Sequence, residues 1–167
     1  MGVREQVVGG RNWMQKVVEW IPGFRGYYGK EHRRDADRLV REAVSNRLNA
    51  AADALGQAAA VLAKAKRLDE VERAGRLQQR LTTAADRALS AARGYSGFFD
   101  AVKIREGELD RLYEHDCRIL EAAERARAKA AGLDAAKPAL EPIEAAAAEI
   151  ERSLDARREI FLDLGKS

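Results

Sequence analysis

His32 and His115 are the only imidazoles in the chain, and each directly follows a glutamate, in Glu31-His32 and Glu114-His115. Helical bundles hold di-metal sites through Glu-x-x-His pairs on two helices, and neither histidine has a glutamate three residues before it. Adjacent residues point around a helix rather than toward a shared ligand. A metal would therefore need the fold to bring together His32, His115 and a carboxylate such as Asp35 or Asp116. Cys117 lies two residues after His115, a spacing at which thiol and imidazole diverge on a helix instead of forming a nucleophile and base pair. No GxxxxGK[ST] phosphate loop, G-x-S-x-G elbow or H-E-x-x-H helix occurs. No catalytic constellation, cofactor or resident metal is expected.

Two charged residues stand where apolar ones belong. Asp116 falls on the stripe formed by Leu109, Leu112, Ile119, Ala123, Ala126 and Ala130, and Arg157 on that of Leu140, Ile143, Ala147, Ile150, Leu154, Phe161 and Leu164. A buried carboxylate needs a partner, and an arginine from a neighbouring helix is a natural one. Counted from a turn near Asp134, the two are at unequal heights. A tyrosine hydroxyl, Arg47 or the solvent are the alternatives for Asp116.

These stripes imply long helices. Aromatic content of 6 %, three prolines and 34 % charged residues favour helix over strand, and Ala, the best helix former, is abundant. The first segment, about 31–67, carries Val40, Val44, Leu48, Ala51, Leu55, Ala58, Leu62 and Ala65. The second, 68–93, carries Val71, Ala74, Leu77, Leu81, Ala84, Ala88 and Ala92. No Pro or Gly separates them, so one bent or continuous helix is an alternative there. The third starts near Asp100 or Glu106 and stops at Gly132, expected as its cap. The fourth has Pro138 and Pro142 near its first turn. The expected fold is all-α: an elongated, antiparallel up-down four-helix bundle with coiled-coil-like Ala/Leu seams over 23–167, preceded by an amphipathic arm over 1–22.

The arm reads as a short helix capped by Asn12, with Trp13, Met14, Val17, Val18, Trp20 and Ile21 on one side and Gln15, Lys16 and Glu19 on the other. Its three expected fates are packing on its own bundle, entering a partner's groove, or lying on a membrane. Up-down topology brings the start of the first helix, the link between the second and third, and the end of the fourth to one pole. Phe24, Tyr27, Tyr28, Tyr95, Phe98 and Phe99 belong there. They form either a buried plug or, with Trp13 and Trp20, a partner-binding patch.

The formal charge of +3 is uneven, since the first fifty residues hold ten Lys/Arg against six Asp/Glu. Acids interrupt the basic residues throughout, so nucleic acid is not an expected partner. One cysteine excludes an intrachain disulfide. The start MGVREQVVGG has no apolar signal region, and no apolar run approaches eighteen residues. The expectation is a cytoplasmic, non-enzymatic interaction or scaffold protein that binds a protein partner or a second copy. The alternatives are a membrane-surface protein using 11–34 and a metal-binding bundle.

Overall fold

The computed structural model describes residues 15–24, 33–90 and 106–164. Among them the structure is helical, with no strand. A short helix, α1 (15–20), precedes α2 (Arg33–Lys64), α3 (Leu68–Ser90), α4 (Glu106–Ala131) and α5 (Glu141–Leu164). At ~1.5 Å per residue α2 is about 48 Å long.

The stripes become the core. Val40, Val44, Leu48, Ala51, Leu55 and Leu62 of α2 are buried, as are Ala74, Leu77, Leu81, Ala84 and Ala88 of α3, while Ala65 lies exposed beyond the end of α2. Ile119, Ala123, Ala126 and Ala130 of α4 join Leu140, Ile143, Ala147 and Ile150 from and just before α5. Small side chains allow close approach: a Cβ added at Gly56 of α2 would sit 2.9 Å from the Gln78 amide nitrogen of α3.

The boundary between α2 and α3 is made without glycine. Lys66 takes the left-handed conformation, at φ 60°. The Arg67 N–H then bonds the Leu62 carbonyl and the Lys66 N–H the Ala63 carbonyl, both at 3.0 Å. That is a Schellman cap, which normally places glycine where Lys66 stands. Lys66→Gly is therefore expected to raise unfolding free energy by about 1 kcal/mol, measured by urea denaturation, because the left-handed form costs an L-residue ~1–2 kcal/mol. A loss of stability would mean that the Lys66 side chain contributes more than its backbone costs. At the end of α4 the Gly132 N–H bonds the Ala128 carbonyl at 3.1 Å. The helix ends at Ala131, so Gly132 stands at the expected stop, without the positive φ that Gly23 has.

Chain direction alternates from helix to helix. Arg41 meets Leu89 while Gly56 meets Gln78, so α2 and α3 are antiparallel. Asp116 meets Arg157 and Arg125 meets Glu149, so α4 and α5 are antiparallel as well. The lateral order differs from chain order. The shared faces are α2–α3, α2–α4, α4–α5 and α3–α5, which puts consecutive α3 and α4 on a diagonal. The parallel pairs α2–α4 and α3–α5 therefore close the bundle.

Helix α1 lies on this core. Val17, Ile21 and Phe24 are buried, Val18 and Trp20 are partly covered, and Gln15, Lys16 and Glu19 face solvent. Gly23, at φ 85°, turns the chain after Ile21 so that the Phe24 ring drops into the core. A Cβ at Gly23 would meet no atom, so backbone conformation is what favours glycine there.

Candidate functional site

Four charged side chains converge at the pole where α2 and α4 begin and α3 and α5 end. Arg157 of α5 grips Asp116 of α4 through two bonds, Nε to Oδ1 at 2.6 Å and Nη2 to Oδ2 at 3.1 Å. Its Nη2 also donates to Oδ1 of Asp37 on α2. Arg41, one turn after Asp37, donates from Nε to Asp37 Oδ2 at 2.7 Å and from Nη1 to the Leu89 carbonyl at 3.0 Å. That carbonyl lies in the last turn of α3, where the helix leaves acceptors unsatisfied and favours a cation. The cluster thus touches all four long helices.

All four side chains are buried and their charges balance. Burial pushes the Asp116 carboxyl above the usual carboxylate range, with Arg157 opposing and Asp37 reinforcing the shift. Burial also opposes the charge on Arg157, but Asp116 and Asp37 together outweigh it and hold the guanidinium protonated. Such a set is costly to take out of water and depends on complete mutual pairing.

Sequence spacing placed Asp116 and Arg157 on the right faces and misjudged their heights. The link between α4 and α5 spans 132–140 rather than centring on Asp134. Asp116 lies 15 residues before Ala131 and Arg157 16 residues after Glu141, so the two are level. Asp37 and Arg41 were missed. Their signal was an acid three residues before Val40, continuing the α2 stripe, with an arginine one turn later.

Among the other site residues, Phe24 is fully buried, its ring edge-on to Tyr113 with centroids 5.7 Å apart. It is a core ring, and at this position the plug rather than the exposed patch is realised. Trp20 is partly covered, with the Arg47 guanidinium 5.4 Å from its ring centroid. Trp13, Tyr27, Tyr28, Tyr95, Phe98 and Phe99 lie outside the described residues.

The metal alternative draws nothing from this geometry. The His115 Nε2 donates to the Ser153 carbonyl at 2.8 Å, both Asp116 oxygens are engaged by Arg157, and His32 lies outside the described residues. No group of three or more His, Cys, Asp or Glu among the described residues is arranged to hold a metal ion. Cys117 is buried, and desolvation pushes its thiol up to about 11, away from the reactive thiolate. No described helix is long and apolar enough to cross a membrane. Comparison with known protein families, curated proteins and solved structures finds no match to this chain.

Proposed function

We propose that this is a cytoplasmic, non-enzymatic helical interaction protein, a bundle whose aromatic connections at one pole engage a protein partner or a second copy. The observation that supports this reading is the buried cluster of Asp37, Arg41, Asp116 and Arg157. It directs its charges at one another and at backbone, sealed from solvent, and so ties α3 to α2 and α5 to α2 and α4 at that pole. The segments 25–32 and 91–105, which connect Phe24 to Arg33 and Ser90 to Glu106 in sequence, carry Tyr27, Tyr28, Tyr95, Phe98 and Phe99. Aromatic rings on a preorganised base bind with little loss of conformational freedom.

A membrane-surface role for residues 11–34 has less support. Val17, Ile21 and Phe24, which would have to enter the lipid, already serve as core.

Light scattering over a concentration series, with circular dichroism, tests the proposal on the full chain and on a variant with Tyr95→Ser, Phe98→Ser and Phe99→Ser. The full chain is expected to gain mass with concentration. The variant is expected to remain monomeric with its helix content intact. Loss of helix content in the variant would place those rings in the core and overturn the reading. A wild-type chain that stays monomeric would remove the second copy and leave a different protein as the partner.

A further inference from the structure

The two sides of the bundle that lie between its hairpins are covered unequally. On the α2–α4 side, α1 bridges the two helices. Lys16 bonds Glu121 of α4 at 2.5 Å, Trp20 packs under Arg47 of α2, and Phe24 meets Tyr113 of α4. Arg47 also reaches Glu124 of α4 directly. Apolar burial of Val17, Ile21 and Phe24 backs these contacts, and salt does not screen it.

The opposite side is the α3–α5 seam, the least extensive of the four lateral faces. A groove of about 600 Å³ runs along it, lined by Arg76, Thr83 and Ala84 together with charged side chains that cross it. Arg73 bonds Glu144 and Glu141 at 3.1 Å, Arg80 makes two parallel bonds to Glu151 at 2.9 Å, and Arg87 reaches Asp155. The three arginines recur every seven residues, as interhelical charges do in a parallel coiled coil. All these pairs are partly exposed to solvent, where each is worth little and is weakened by ions. The buried cluster makes no direct bond between α3 and α5: it ties α5 to α2 and α4, and α3 to α2, at one pole.

We infer that the bundle opens along the α3–α5 seam while the α2–α4 side, bridged by α1, stays closed and acts as the hinge. Opening uncovers Leu77 and Leu81 of α3 and Ile150 and Leu154 of α5, which are buried in the closed form. The inference stands on the asymmetry of the two sides and is independent of the proposed function.

Amide hydrogen exchange on the full chain tests it, at roughly 20 mM and roughly 500 mM salt. Amides in 74–88 and 146–157 are expected to exchange about three- to tenfold faster at high salt, with those in 44–55 and 117–126 unchanged. Uniform acceleration, or none, would overturn the inference. Arg80→Glu alone should reproduce the acceleration at low salt, and Arg80→Glu with Glu151→Arg should reverse it. An Arg80→Glu protein whose exchange matches the wild type at low salt would show that the pair does not hold the seam.

Discussion

Replacing Arg157 by Met is expected to lower unfolding free energy at pH 7 by about 3–5 kcal/mol, the penalty for leaving a buried charge without its partner. The methionine nearly matches the aliphatic volume of the arginine, so the loss is electrostatic rather than a cavity. Asp37 keeps Arg41, whereas Asp116 loses both of its bonds from Arg157. The remedy is to remove the orphaned charge: Arg157→Met with Asp116→Leu should recover most of the lost stability. Urea denaturation of both variants checks this. If the double variant is no more stable than the single one, packing and not charge explains the loss.

The same variant should reverse the ordinary response to acid. Asp116 is already pushed above the usual carboxylate range by burial, and removing Arg157 removes the main influence opposing that push. The folded variant then takes up a proton at a pH where the unfolded carboxyl, with its pKa of about 4, is still ionised. Because the folded state binds more protons, stability rises as pH falls from 7 toward about 5. Glu151 and Glu124 act in the opposite sense in both proteins. Arg80 holds the Glu151 carboxyl below its ordinary range, and Arg127 with Arg47 does the same for Glu124. Their contributions are lost only as pH falls through those lowered values, below the window in which the variant gains. A variant whose stability falls between pH 7 and 5 would show that Asp116 stays ionised without Arg157.

Apolar spacing was enough to read the helices and their buried faces, because a period near 3.6 maps sequence directly onto one side of a helix. Leu48, Leu77, Ile119 and Ile150, each drawn from a sequence stripe, are all essentially inaccessible. Lateral order was not legible, since four stripes of similar Ala and Leu composition fit more than one circular arrangement. What distinguishes the observed one is polar: Arg47 with Glu124 pairs α2 with α4, and Arg80 with Glu151 pairs α3 with α5. Such partners are specified between segments 71 to 77 residues apart and leave no local periodic mark. Lys66 was hidden for a different reason, because its left-handed conformation is imposed by the ends of two packed helices and not chosen by the residue.

Replacing Phe24 by Ala is expected to cost about 3–5 kcal/mol if the chain unfolds as a unit, the usual range for deleting a buried aromatic ring. The ring is fully buried and supports Tyr113 edge-on, so little can relax to fill its place. The segment holding it is short and adjoins α2 through 25–32, however, which offers the variant a cheaper response. Helix α1 can leave the bundle when its docking is worth less than global unfolding. Beyond Phe24 that docking consists of Val17, Ile21, the exposed Lys16 bridge to Glu121 and the Arg47 contact with Trp20. Of the two tryptophans, Trp20 lies in α1. The emission of Trp20 therefore reports on α1, while far-ultraviolet circular dichroism reports on the four long helices. In Phe24→Ala the emission transition should occur at lower urea than the dichroism transition, and in the wild type the two should lie closer together. Coincident transitions in the variant, shifted together by the full amount, would instead make α1 an inseparable part of the cooperative core.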